Sequence, residues 1–279
     1  PYKNSTLHSS YPQSRSQLPK APHFDNKIYT IHLLLSRCFR GLGSIGIPCL
    51  LHGVEAVGPK YGITPFKLLQ SAGLNPLKSI NDVSHALETP SIGWGYCDQT
   101  VYSPLLSSLI PLRHAMVKRP ILATIEKFLL PILATNDTHL ITGYTHPPYR
   151  QTTDYLLSQL PALSKRLICR GTEGSCQLPL DRRAPTLFLN KNENISDFVR
   201  PTNYGIDEQD RFDPIPEISC DNILHEGVLA LQGTENLVYS MILYQSMVIL
   251  DKFDIFSPNE RLSKLKTAIS TGHAFRAWS

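Results

Sequence analysis

The chain has 279 residues, enough for one large or two modest domains with a sizeable buried core. Hydrophobic residues make up 42% and charged residues 18%, which excludes a disordered chain. A net charge of +4 suits phosphate-bearing ligands or nucleic acid and demands neither. The six cysteines, at 38, 49, 97, 169, 176 and 220, form no C-x-x-C pair, and several sit inside apolar runs. They read as buried free thiols in a reducing compartment, the cytoplasm or a plastid, rather than as a disulfide framework or zinc site. No secretory signal is expected from these residues. The longest apolar run, 237–250, is interrupted by Ser240, Gln245 and Ser246, so a core helix is expected there and not a membrane span.

Residues 1–24 are rich in Ser, Pro and basic side chains and lack an apolar period, which predicts an extended segment. Asp25 is placed to cap a helix carrying Ile28, Ile31, Leu34, Leu35, Cys38 and Phe39 at helical spacing, with glycines at 41, 43 and 46 ending it. A strand to His52 and Gly53 follows. Thr64-Pro65 opens a short helix that stops at Gly73, and Ser79 with Asp82 opens another over 79–88. Ser103-Pro104 starts a helix through Arg113, bent at Pro111, and 120–130 continues helical, so 60–131 reads as mainly α. After a strand ending near Gly143, Pro147-Pro148 starts a helix, and a strand over 166–170 completes a βαβ crossover. A strand over 186–189 is expected, and 190–220 reads as polar loop. Helices over 221–231 and 234–250 follow. Ser257-Pro258-Asn259-Glu260 is a full capping box for a last helix closed by Gly272.

Three stretches share one shape: I-P-C-L-L-H-G at 47–53, L-I-T-G-Y-T-H at 140–146 and K-R-L-I-C-R-G-T-E-G-S at 165–175. Each runs apolar and breaks at glycine beside His or Arg. Singly each is an ordinary strand exit. Together they are how an open parallel sheet builds a ligand site at its carboxyl edge.

The H-G at 52–53, the K-Y-G-I-T-P-F-K-L-L-Q-S-A-G-L-N-P segment at 60–76 and the S-P-L-L…P-L-R…R-P pattern over 103–120 resemble the anthranilate phosphoribosyltransferase group, glycosyltransferase family 3. R-G-T-E-G at 170–174 and T-G-H-A at 271–274 fit the same order. G-Y-T-H-P-x-Y-R at 143–150 ahead of the R-G-T-E-G turn resembles its YbiB-like branch. The resemblance spans most of 11–276. It implies an α/β fold of the nucleoside phosphorylase/phosphoribosyltransferase kind, a mainly parallel sheet flanked by helices plus a small helical domain. That gives a basic segment over 1–24 and a family domain over 25–279, with 60–131 partly in the small domain. The family's first helices would precede Pro1, so the chain is expected to be short at its amino end.

The resemblance also implies what has changed. The family's glycine-rich pyrophosphate loop falls on 9–20, which holds no glycine, and its K-H-G-N-R becomes Leu51-His52-Gly53-Val54-Glu55. Its metal-binding Asp-Glu pair falls at Cys176 and Gln177, a thiol and an amide, so no metal is expected, with Glu173 the nearby carboxylate. Arg113 matches the anthranilate-binding arginine, Arg119 a further arginine, and Arg170 stands in place of a histidine. The expected phosphate or ligand contacts are therefore His52, Gly53, Arg113, Arg119, Arg170, Gly171, Glu173 and Gly174. His146 is a candidate acid or base, alternatively the histidine of a T-H-P-P turn. As helix-end cations Arg113 and Arg119 would equally complement the macrodipole. Two functions stay open. One is pentosyl transfer on a phosphorylated sugar or nucleoside, without ordinary anthranilate chemistry. The other is non-catalytic, sequence-nonspecific binding of a nucleic acid backbone by a homodimer, with Arg15, Lys20 and Lys27 as a basic arm.

Overall fold

A seven-stranded sheet organises the computed structural model, which describes residues 28–32, 38–56, 62–115, 121–171, 175–190, 193–207 and 218–276. In chain order the strands are β1 (Ile28–His32), β2 (Cys49–Gly53), β3 (Trp94–Asp98), β4 (Thr138–Gly143), β5 (Leu163–Cys169), β6 (Ala184–Leu189) and β7 (Asn194–Val199). They lie in the order β3-β2-β1-β4-β5-β6-β7. The first five are parallel, and β6 and β7 run antiparallel at one edge.

The helix predicted from Ile28 is replaced by β1, the central parallel strand, paired with β2 on one side and β4 on the other. A five-residue apolar run fits both periods, and pairing on two sides decides for the strand. Asp25 lies outside the described residues. The first helix, α1 (Cys38–Gly43), begins only after that strand. Thr64 caps α2 (Pro65–Ser71) through the Lys67 N–H at 3.3 Å, and Ser79 caps α3 (Ile80–Glu88) through the Asp82 N–H at 3.1 Å, both as expected.

The mainly helical reading of 60–131 missed β3, whose short W-G-Y-C-D run has a glycine where a β-former is usual. Beyond it lie α4 (Gln99–Tyr102), α5 (Pro104–Ser107), α6 (Ile110–Ala115) and α7 (Leu122–Ile125), then a 3₁₀ turn, Glu126–Phe128. The break between α5 and α6 falls at Ser108 and Leu109, ahead of Pro111, because a proline two residues into a helix removes no hydrogen bond. The crossover helix α8 (Pro148–Ser158) lies between β4 and β5. The polar stretch 190–220 contains β7, whose side chains are exposed save Val199 and so carry no apolar signal.

One sheet face carries Leu51, Ile141 and Leu167 and is covered by α9 (Cys220–Leu231), α10 (Leu237–Lys252) and α11 (Pro258–Ser270), with α12 (His273–Arg276) beyond. The other face packs Leu140 and Ile168 against Leu157 of α8, and Leu50 and Cys97 against Val83 and Leu87 of α3. Alternation along each strand explains why neighbours such as Leu50 and Leu51 serve opposite faces. Helix α10 is buried from Val238 to Leu250 apart from Met241, and no helix among the described residues is long and apolar enough to cross a membrane. Cys49, Cys97, Cys169 and Cys176 are buried thiols.

Candidate functional site

Chain order runs outward from β1 through β2 to β3 on one side and from β4 to β5 on the other. The direction reverses between β1 and β4, and the crevice outside the carboxyl ends there is where open α/β sheets hold ligands. His52 and Gly53, Asp98, Gly143 and Cys169 all stand at strand ends along this edge. β1 is Ile28–His32, and residues 33–37, L-L-L-S-R, follow it in the sequence; these and 9–20 lie outside the described residues, and neither stretch contains glycine.

His52 is fully buried, with Nδ1 3.1 Å from the Tyr102 hydroxyl and the two rings edge to face. Burial lowers its pKa to about 4, so the imidazole is neutral at physiological pH. Burial also pushes the Tyr102 hydroxyl far up, with smaller contributions from Cys97, Glu126 and Asp98, and it stays protonated. Asp98 accepts from the Tyr96 hydroxyl at 3.1 Å and from the Thr100 N–H at 2.9 Å, which caps α4. Gly53 faces the Tyr96 hydroxyl with room for a methyl group.

Arg113 is only 2% exposed, and its guanidinium is gripped by Glu126: Nη1 to Oε2 is 2.5 Å and Nη2 to Oε1 is 3.2 Å. A fork-on-fork pair of this kind offsets both charges in a dry site, while Arg113 Nε has no partner among the described residues. Beside it, buried Lys127 donates to the Gly143 carbonyl at 3.2 Å, bringing an ammonium to the end of β4.

Gly143 and Gly171 are explained by the chain itself. A Cβ at Gly143 would fall 1.8 Å from the Ser175 carbonyl oxygen, and one at Gly171 would fall 2.0 Å from the same atom. The segment 175–177 crosses these two strand exits backbone to backbone, and only glycine permits that approach. Cys176 is fully buried, and burial pushes its thiol up to about 12. The Gln177 amide lies 4.0 Å from Met241 Sδ. A neutral thiol and an amide turned to a thioether are not hard oxygen donors, so these two positions do not fit magnesium.

The open cations lie on the β5 side. Arg170 is exposed; its N–H is tied to the Pro185 carbonyl at 3.0 Å and its Nε to the Thr145 carbonyl at 3.3 Å. Arg150, in the first turn of α8, reaches Ser196 Oγ at 2.8 Å. His146 is exposed, its ring centroid 6.5 Å from that of Tyr149. Arg119, Glu173, Gly174, Arg15, Lys20 and Lys27 lie outside the described residues. Sequence reasoning missed Tyr102, Lys127, Tyr144 and Arg150. Glu126-Lys127 was signalled by two charges inside an apolar run, and Tyr144 and Arg150 lie within the motif from which only His146 was taken.

No protein-family model matches the chain. A protein of Aquifex aeolicus (strain VF5), described as uncharacterized, is 25% identical over 220 residues, 78% of this chain and 62% of that protein. The chain thus spans less than two thirds of that relative. Among solved structures, anthranilate phosphoribosyltransferase (TrpD) from Thermus thermophilus is similar with a TM-score of 0.70 at 15% identity, covering 92% of this chain and 77% of that one. The enzyme from Saccharomyces cerevisiae in complex with PRPP and Mg gives 0.66 at 16% identity, covering 91% and 72%. At these identities the likeness is one of architecture, and the chain has the anthranilate phosphoribosyltransferase fold.

Proposed function

We propose that the protein binds a phosphorylated pentose or nucleoside at the carboxyl edge of the parallel strands, in a site diverged from that of the enzymes whose fold it shares, and performs pentosyl transfer there. The supporting observation is Arg170, an exposed guanidinium at the exit of β5, oriented through Nε by the Thr145 carbonyl, with Nη1 and Nη2 open to an anion among the described residues. In such a transfer the bond from pentose C1 to its leaving oxygen breaks with the electron pair leaving on oxygen, and the acceptor supplies a new pair to C1. The chain's part is to position the sugar and its phosphate and to supply fixed positive charge. Exposed His146 is the candidate to move the proton on the departing or attacking group. Neutral His52, tied to Tyr102, offers a dipole and no charge. Arg113, occupied by Glu126, is not open to an acceptor carboxylate, which argues against anthranilate as acceptor.

A second reading, non-catalytic, sequence-nonspecific binding of nucleic acid by a homodimer, is favoured by one feature. Arg183 lies over the half-exposed Phe198 ring, 4.7 Å from its centroid. β6 brings that pair near Arg170, since the Arg170 N–H bonds Pro185 and Phe198 pairs with Pro185. Arginine beside an exposed aromatic suits a phosphate and a stacked base. Thermal unfolding of the purified chain separates the two. Phosphoribosyl pyrophosphate with and without magnesium, ribose 5-phosphate, nucleosides and short oligonucleotides are compared at two salt concentrations. The pentose reading expects a rise in melting temperature with the sugar phosphates, whether or not magnesium is present. A rise with oligonucleotides alone, erased by salt, overturns it in favour of the second.

A further inference from the structure

The antiparallel edge of the sheet has groups that the pentose reading does not use. β7 is the last strand of the order and pairs only with β6. The Arg170 N–H bonds the Pro185 carbonyl, so Pro185, Leu187 and Leu189 turn their main-chain groups toward β5. Thr186 and Phe188 between them turn theirs toward Asp197 and Ile195 of β7. By the same alternation the main-chain groups of Asn194, Ser196 and Phe198 point outward, away from the sheet. Among the described residues the Phe198 N–H is covered there, by Asp197 Oδ1 at 2.6 Å. Asn194 and Ser196 leave a short exposed row of the kind to which another strand adds.

Two cations flank this row on one face. Ser196 projects on the side of α8, since Leu187 opposite it belongs to the apolar cluster that contains Leu157, and Phe198 shares that face. Arg150 of α8 donates to Ser196 Oγ at 2.8 Å, and Arg183 lies over the Phe198 ring, 4.7 Å from its centroid. The two guanidinium groups thus stand at positions two residues apart along the edge, about 7 Å at the rise of an extended strand. A strand added beside β7 presents side chains to this face at the same interval. On the other face Ile195 is 40% exposed, and Asp197 is already engaged by Lys252.

We propose that the β7 edge docks an extended acidic segment of a partner protein, added as an antiparallel strand with carboxylates at alternate positions facing Arg150 and Arg183. A β-branched apolar residue would lie beside Ile195. Charge and main-chain pairing decide among occupants. A second copy of this chain would bring two further guanidinium groups to the same face. A nucleic acid backbone would meet the arginines and leave the outward N–H and C=O of Ser196 unmatched. The proposal is independent of the pentose reading, whose site lies at the carboxyl edge of the parallel strands.

Fluorescence anisotropy of a labelled T-E-T-E-V-T peptide tests it, with T-Q-T-Q-V-T for comparison. The glutamine peptide is expected to bind about tenfold more weakly, and Arg150→Ala and Arg183→Ala each to weaken the glutamate peptide by about threefold to tenfold. Lys78→Ala removes an exposed cation ahead of α3, which packs on β3 at the opposite edge of the sheet, and should change nothing. Strand addition is read separately from charge. On binding, the amide hydrogens of Asn194 and Ser196 should exchange about tenfold more slowly, and a peptide N-methylated at its second glutamate should not bind. No binding of the glutamate peptide, equal binding of the glutamine peptide, or binding without that protection overturns the proposal. A thymidine oligonucleotide that outcompetes the peptide with the same dependence on both arginines overturns it in favour of nucleic acid. Self-association of the chain that Ser196→Pro abolishes overturns it in favour of a second copy.

Discussion

His52 shows how burial sets chemistry at a single residue. As the histidine of an H-G strand exit it reads as a ligand contact, but the ring is fully buried and bonded to Tyr102, with its pKa lowered to about 4 by desolvation. Between that value and the ordinary 6.5, the unfolded chain binds a proton that the folded chain refuses. Folding stability therefore rises with pH across that window, is complete above it, and is lost as pH falls from 6.5 toward 4. The wild type should lose about 2 kcal/mol from this residue between pH 7 and pH 5. Urea unfolding at both pH values, set against His52→Gln, measures it: the variant's stability should change less by that amount. Identical pH slopes would mean that water reaches the ring. Arg113 shows the same limit. Its position in the chain pointed to a ligand, whereas its partner Glu126 lies 13 residues on, a pairing that only the folded chain reveals.

At the scale of elements, the caps were legible in the sequence and the strands less so. Thr64, Ser79 and the Ser257–Glu260 capping box are short-range devices whose chemistry is complete within four residues. β1, β3 and β7 were misread or missed because strand identity is settled by neighbours distant in sequence: β1 by β2 and β4, β3 by β2 and the packing of α3. The glycines at the strand exits were visible, but not their reason. Gly143 and Gly171 read as a cradle for a ligand, while the atom that occupies the space above both is the Ser175 carbonyl oxygen of the chain itself. Gly143→Ala should therefore cost about 3 kcal/mol, at the upper end of overpacking, because the obstacle is backbone and cannot rotate away. Gly62→Ala meets nothing within 4 Å among the described residues and is the control, expected within about 0.5 kcal/mol of wild type. Chemical denaturation of the two variants decides the matter, and a Gly143→Ala protein as stable as the control would mean that 175–177 can move off the strand exits.

For the whole molecule, the parallel half of the sheet and its antiparallel edge are held by different forces. β2, β4 and β5 lie between apolar layers, whereas β7 is exposed along most of its length and cannot rely on burial. Its tether is ionic: Lys252 of α10 donates to Asp197 at 2.7 Å. Asp251 next to Lys252 accepts from Arg261 at 2.7 Å and from the Tyr204 hydroxyl at 3.1 Å, tying the return from β7 to α10 and α11. The Lys252 hydrogen bond holds the Asp197 carboxyl below its ordinary 3.8, against an opposing effect of burial, with the Phe198 N–H adding to the lowering. A lowered carboxylate stabilises the fold above its unfolded pKa and loses that contribution as pH falls through the native value, so this tether is intact at neutral pH and is released only in acid. The carboxylate is half exposed, which keeps the pair modest in strength. Hydrogen exchange at neutral pH should then show 194–199 opening well before β4 and β5. Lys252→Ala should speed exchange across 194–199 by about two- to fivefold and leave β4 and β5 unchanged. Uniform acceleration over the whole sheet would instead make the antiparallel edge part of one cooperative unit with the parallel strands.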